Sequence, residues 1–436
     1  MEKYNAIVVG GGFSGTMAAC SAAREGLKVL LVEKSGTLGG AASLNYVLPF
    51  MGYEMRKKNV KIMLNRGLFK EFLGRLSIYD VTDGGEKGGK VLASDRSTYN
   101  EEFLKIVLDD MTDYYGVDVL FHATLENVLV DKGRIRNITV GGPFGKETIF
   151  ADYFVDATGD ALLSVLSGCE FHVGRENDNK CQPMTLCFRM GNVDVKRFFA
   201  EDHAAVNELW KKKLAAGEFI NPREDILAFR TTTDSVLHLN STRVLKSPVD
   251  AFEKSKAEKE GRKQMLELYR FLRDNAPSCK NATLLSSSVE IGVRESRMVK
   301  GVYEFTADDI ISCRKFDDAV AAGNYDIDIH SPDGSGTSHY WIPAGEYYTI
   351  PYRALLPENM RNLLVAGRCI SSTHEAQASY RIMPIVSCIG EGAGAVIAAA
   401  AKAHKSLENI TADEVRAAID KYDLVEGYPG VLSQNN

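Results

Sequence analysis

Three observations predict an α/β fold. Residues 4–33 read YNAIVVGGGFSGTMAACSAAREGLKVLLVE, where two apolar runs, 6–9 and 29–32, flank a glycine loop and a stretch of small residues. A second strand pattern, YFVDATGD at 153–160, follows three short alternating segments between 124 and 151. A third, NLLVAGR at 362–368, precedes a glycine- and alanine-rich stretch from 390 to 404. Short β-branched runs read as buried strands, and the longer stretches between them as helices packed on a sheet.

In the first unit Gly10, Gly12 and Gly15 have G-x-G-x-x-G spacing, Ala18, Ala19, Ala22 and Ala23 form a small apolar helix face, and Gly26 can end that helix. Glu33 closes the second strand. Glycines there let the backbone approach a pyrophosphate. The helix N-terminus offers unpaired N–H groups and a positive dipole end, and the acid can hydrogen-bond ribose hydroxyls. The spacing alone is a weak signal; strand, helix and acid around it make it a dinucleotide site. A carboxylate at the ribose argues for FAD or NAD and against NADP, whose extra phosphate it would repel.

Farther on, SGTLGGAAS (35–43) is a second small-residue loop. Periodicity predicts an amphipathic helix over 59–77, with Met63, Leu64, Leu68, Phe69, Phe72 and Leu76 on one side. The polar, glycine-rich segment 78–97 reads as an exposed loop. Thr98-Tyr99-Asn100-Glu101 has capping-box form and opens a helix running to Gly116. A strand at 117–121 leads to three antiparallel strands, 124–131, 135–140 and 147–151, and then to the strand ending ATGD. From 165 to 350 strands and charged helices mix, the most charged over 251–275, which reads as a solvated face. The tail gives a strand at 362–366, a loop at 369–384, a helix at 390–404 and a last helix opened by Thr411 with Asp413 and Glu414, before frayed final residues.

With 436 residues, two domains are the natural expectation. A formal charge of −6 carries no basic surplus for nucleic acid or an anionic membrane. No unbroken apolar stretch is long enough to predict a transmembrane helix, and the strand starting next to Met1 leaves no room for a signal peptide. None of the eight cysteines forms a C-x-x-C pair, so reduced, mostly buried thiols in the cytoplasm are expected. No H-x-x-x-H or clustered acid–His spacing supports a metal site.

The order of these segments resembles FAD-dependent oxidoreductases with a glutathione-reductase-type flavin domain. More closely, VDATGDA, QPMTLCFR, IGVRESR, IPYRALLP and NLLVAGRCISSTHEAQASYRIMP resemble phrases of the broad bacterial family of FAD-dependent oxidoreductases. The resemblance spans nearly the full chain and departs at 78–97. It implies a Rossmann-like FAD-binding domain with a β-meander and an inserted mixed α+β substrate domain. The division expected is 1–165 and 351–410 for the flavin domain, 166–350 for the cap and 411–436 for a C-terminal helix and tail.

Carried over residue by residue, the resemblance places Gly10, Gly12, Phe13, Ser14, Gly15 and Glu33 at the adenosine diphosphate half, with Lys34 beside the adenosine. Gly39, Gly40, Ala41 and Ser43 line the path toward the flavin, and Val128 offers backbone contacts to adenine. Ala157, Gly159 and Asp160 lie by the pyrophosphate or ribityl chain, with Gly367 and Arg368 following the late strand. Gly390, Gly392, Ala393 and Gly394 begin a helix aimed at the pyrimidine edge, where its dipole stabilises the charge of reduced flavin. Small residues there equally suit close helix packing.

In such enzymes the protein positions the substrate and handles protons. His374 is the candidate acid or base, Glu375 the group that orients it, and Arg381 the anchor for a carboxylate or carbonyl. A His-Glu pair can also merely fix its own loop, with Arg381 paired to Glu375. Arg294 is either a substrate-domain residue or a salt-bridge partner of Glu290 or Glu295. The expected reaction is hydride exchange between flavin N5 and a C–H or C=C bond of a small polar metabolite, with an unidentified electron donor or acceptor. No second nucleotide fingerprint supplies an NAD(P)H domain. A flavin monooxygenase and an FAD-holding electron-transfer subunit are the alternatives, and homo-oligomerisation stays open.

Overall fold

The computed structural model describes residues 3–57, 60–79 and 98–425. Its main sheet has a parallel layer ordered Asp118–Leu120, Val29–Val32, Tyr4–Val9, Gly145–Asp156, Leu363–Val365. Ala6 pairs with Val29, Ile7 with Phe154, and Leu364 with Val155. The apolar runs are buried on both faces, as a parallel sheet covered by helices requires. In chain order the layer reads 3-2-1-4-5, so the winding reverses between Tyr4–Val9 and Gly145–Asp156. A crevice opens outside the carboxyl ends of strands at such a point.

The third meander strand and the ATGD strand are one element. Gly145–Asp156 runs antiparallel to Arg134–Gly142 in its first half and parallel to Tyr4–Val9 in its second, and Thr124–Asp131 completes the meander. No glycine or proline stands between 146 and 156 to divide it.

Three further expectations are corrected. The helix expected over 59–77 is Gly67–Leu76, preceded by a hairpin of Glu54–Lys57 with Val60–Met63. Gly67 has φ +59° and Asn65 is tied to the Ala322 carbonyl at 2.9 Å, so the chain turns there and the helix starts only afterwards. The helix Glu101–Tyr115 is capped by Asn100, whose side chain accepts from Glu102 N at 2.9 Å; Glu101 instead pairs with Arg189, so no capping box forms from Thr98. The segment 369–384 holds a helix, His374–Tyr380, capped by Thr373. Most of the expected 78–97 loop, from 80 onward, and the frayed end from 426 lie outside the described residues.

The last long helix begins at Met383, not 390, and runs to Ala403 with Pro384 in its first turn, where proline costs no hydrogen bond. It is long and apolar enough to cross a bilayer, with mean hydropathy 1.6, yet 94% of that window is buried against the rest of the protein.

A second sheet, Ala228–Arg230, Val236–Leu239, Phe188–Gly191, Thr283–Ser287, is antiparallel and has its own core with Trp210, Phe198, Leu268 and Phe271. The helix Ala251–Asn275 buries one face on this side of the molecule through Ala257, Gln264, Leu268 and Phe271, so only the other face is solvated. All eight cysteines are free thiols.

Candidate active site

The crevice at the strand ends is walled on one side by the first glycine loop. Gly10 has φ +105°, and a Cβ on it would stand 2.4 Å from the Ala157 carbonyl oxygen, so only glycine turns the chain there. Gly15 faces away from the crevice: its Cβ would stand 1.8 Å from the Gly10 oxygen, which makes it the residue that lets helix Phe13–Arg24 approach the first strand. Gly12 lines the crevice, and the nearest atom to its would-be Cβ is Gly40 Cα at 4.0 Å. The protein itself leaves that space open.

Phe13 and Ser14 follow in the first helical turn, which has no acidic residue and no side-chain cap. Its N–H groups therefore face the crevice uncompensated. The Ser14 hydroxyl is buried without a hydrogen-bond partner. Glu33 is buried as well, its carboxylate accepting from Gly11 N at 2.6 Å and Ser35 N at 2.8 Å. Lys34 lies 3.3 Å from Glu290, and Gly39, Gly40 and Ala41 continue the wall.

Two residues expected on this side are elsewhere. Ser43 turns inward and donates to the Leu38 carbonyl at 2.7 Å. Val128 sits mid-strand opposite Ile138, packed on the core, and does not line the crevice.

The opposite wall carries Ala157, Gly159, Asp160, Gly367 and Arg368. Asp156 holds this loop from below, accepting from Thr158 and Ser164 hydroxyls at 2.7 Å each; burial raises its pKa. Burial would raise Asp160 too, but Arg368 at 2.7 Å, Lys254 and the Ser296 hydroxyl hold it below its ordinary value.

Gly390, Gly392 and Ala393 do not begin a helix at the crevice. They lie inside Met383–Ala403, where Cβ atoms on Gly390 and Gly392 would stand 1.9 Å from the Ser14 oxygen and 2.7 Å from the Val320 oxygen. Close packing against the first helix and a neighbouring strand explains these small residues. Gly394 likewise lies against Ala18. The residues of this helix that do reach the crevice are Met383 and Val386, in its first turns.

His374, Gln377 and Arg381 follow at helical spacing on one face. His374 is buried and its Nδ1 lies 2.7 Å from Glu295, not from Glu375, which is exposed in the helix's first turn. Glu295 is fully buried and also accepts from Gln182 N at 2.8 Å. Arg294 pairs with neither Glu290 nor Glu295: its guanidinium donates to the Pro183 carbonyl and the Thr185 hydroxyl, both at 2.6 Å. Arg381 lines the crevice, and its Nε is buried without a partner. Arg353 is held by Asp318 at 2.9 Å, and burial pushes the Cys369 thiol up, so neither is poised for chemistry.

Sequence reasoning missed Asn45, Lys254, Glu290 and Ile291 in the wall and Glu295 behind it. Asn45 stands two residues beyond Ser43 and was within reach of the loop argument. Lys254 and Glu290 arrive from distant segments and left no local signal.

The family described as FAD dependent oxidoreductase matches residues 5–419. The chain belongs to that family. It is therefore an FAD enzyme of the oxidoreductase class. Among solved structures, flavin-dependent brominase Bmp2 is 11% identical over 97% of this chain and 84% of its own, with a TM-score of 0.51. A geranylgeranyl bacteriochlorophyll reductase-like protein from Thermoplasma acidophilum is 15% identical over 97% and 83%, with a TM-score of 0.46. At 11% identity the likeness to Bmp2 is one of fold, a mixed α/β architecture.

The crevice fits FAD on three of its own features. Space lies open above Gly12, the buried Ser14 hydroxyl lacks a partner, and an uncapped helix N-terminus faces the same place. An anionic pyrophosphate meets all three demands at once.

Proposed function

We propose that this enzyme exchanges a hydride between flavin N5 and a C–H or C=C bond of a small polar metabolite, and passes the electron pair to or from a separate donor or acceptor. Bound FAD supplies that two-electron chemistry. Gly10, Gly12, Phe13, Ser14, Glu33, Lys34, Gly39, Gly40 and Ala41 hold its adenosine diphosphate half. Ala157, Gly159, Asp160, Gly367 and Arg368 hold the rest. The flavin domain is of the glutathione-reductase type, formed by 1–165 and 351–410, and the cap is 166–350; the separate core around Trp210 supports a cap. The setting is cytoplasmic, which eight free thiols favour.

One observation carries the reading: a crevice residue, Arg381, presents a guanidinium with an orphaned Nε beside Met383, where the first turn of the core helix begins. A buried polar group without a partner is costly unless a ligand meets it. His374, fixed by Glu295, then manages the substrate proton, with Nδ1 hydrogen-bonded to the carboxylate so that the ring's other nitrogen takes part in transfer.

Since the sequence has a single nucleotide fingerprint, NADH and NADPH should reduce the flavin slowly or not at all. Anaerobic stopped-flow photometry checks this. Fast, saturable bleaching by either nucleotide would overturn the reading in favour of a flavin monooxygenase.

A further inference from the structure

Arg381 is the exposed edge of a larger cluster of positive charge. Its Nη2 approaches Gln182 Oε1 at 3.5 Å, and the same oxygen accepts from His330 N at 3.3 Å. Arg243 Nη2 lies 3.4 Å from His330 Nδ1. Gln377 bridges the group, accepting from Gln182 Nε2 at 3.1 Å and donating to the Arg294 carbonyl at 2.7 Å. Segments distant in sequence thus converge behind one wall of the crevice.

The acids of this cluster, Glu224, Asp225, Asp328 and Glu295, pair with groups other than Arg294 and Arg381. Arg243 has Glu224 at 3.0 Å and Arg223 has Asp225 at 2.8 Å. Asp328 accepts from Tyr325 at 3.1 Å through one oxygen, its other oxygen is buried without a hydrogen-bond partner, and it lies 3.7 Å from both His330 and His339. Among the described residues no carboxylate lies within ion-pair distance of Arg294 or Arg381. Both remain partly exposed, whereas Arg243 is 1% exposed. Burial and the neighbouring Arg381, Arg223 and Arg243 push Arg294 down to about 9, and burial with the same arginines keeps His330 neutral. Unpaired guanidiniums in such a place are retained at a cost that an anion would relieve.

We propose that Arg294 and Arg381 form the substrate's anion subsite and that the substrate is a small metabolite bearing two carboxylates. Arg294 and Arg381 come from separate segments and neither is paired with an acid, so each can take one carboxylate of such a ligand. Gln182, Gln377 and His330, which join this cluster by hydrogen bonds, are buried. This inference rests on the flavoenzyme reading above and narrows its substrate.

The test is calorimetric titration of the FAD-loaded protein with straight-chain dicarboxylates of two to six carbons, each against its monoamide and against an alkyl phosphate of equal length. At least one dicarboxylate should bind about 30-fold or more tightly than its monoamide, the scale of losing one charge-assisted pair. Arg294→Met and Arg381→Met should each remove that preference with FAD content intact, and Arg381→Lys should restore part of it. If every dicarboxylate binds no better than its monoamide, or the alkyl phosphate binds better, the subsite is wrong while the flavoenzyme reading stands. A chain that takes up no FAD overturns both.

Discussion

Gly10, Gly12 and Gly15 sit close together in the chain and do three different jobs, which the structure separates by what a Cβ would meet. At Gly10 and Gly15 it would strike backbone oxygens at 2.4 and 1.8 Å; at Gly12 it would meet nothing closer than 4.0 Å. Gly12→Val should therefore fold like the parent and fail only to hold FAD, because its side chain fills the space left for the phosphates. Released-cofactor chromatography should show a fall from close to one FAD per chain to almost none, with an unchanged circular dichroism spectrum. A Gly12→Val variant that stays fully yellow would remove the pyrophosphate from this spot. The strand–loop–helix–strand unit was legible in the sequence because it is contained in residues 4–33, but the separate job of Gly15 was not. Nor was the partner of His374. Glu375 stands beside it in the chain but is exposed on the helix, and Glu295 reaches it from a segment 79 residues earlier.

Among the elements, the pairing of helix Phe13–Arg24 with helix Met383–Ala403 ties the pyrophosphate end of the crevice to the core. Gly390 and Gly394 face Ser14 and Ala18, and the Ser21 hydroxyl donates to the Glu391 carbonyl at 2.8 Å. A run of small residues was visible in the sequence, but glycine at a helix start and glycine at a helix crossing look the same there. Only the true start, set by Met383 and Pro384, distinguishes them. Gly390→Ala would place a methyl group 1.9 Å from the Ser14 oxygen. The two helices must part, at about 1–3 kcal/mol for an overpacked core site, and Ser14 moves with them. Urea titration should show the lower unfolding midpoint, and flavin fluorescence should show release of FAD at a lower temperature than in the parent. An unchanged midpoint and release temperature would mean that the crossing has slack which these distances deny.

For the whole molecule, the parallel sheet brings the first loop, the ATGD loop and the end of the late strand to one crevice, and the middle of the chain adds Lys254, Glu290 and Ile291. The sheet was readable because each strand carries its own apolar run. The crevice's outer wall was not, because it is assembled from segments whose separate sequences look like ordinary charged surface. Family membership fixes the cofactor and leaves the substrate open. The central claim is that this crevice exchanges a hydride directly with a small polar metabolite, with neither oxygen nor a nicotinamide as reactant. Anaerobic photometry of the FAD-loaded protein against pools of small carboxylated metabolites, before and after photoreduction, measures it. The expected result is that a member of the pool bleaches the oxidised flavin or restores the colour of the reduced one. No exchange with any pool, together with rapid bleaching by NADH or NADPH and turnover only when oxygen is admitted, would contradict it.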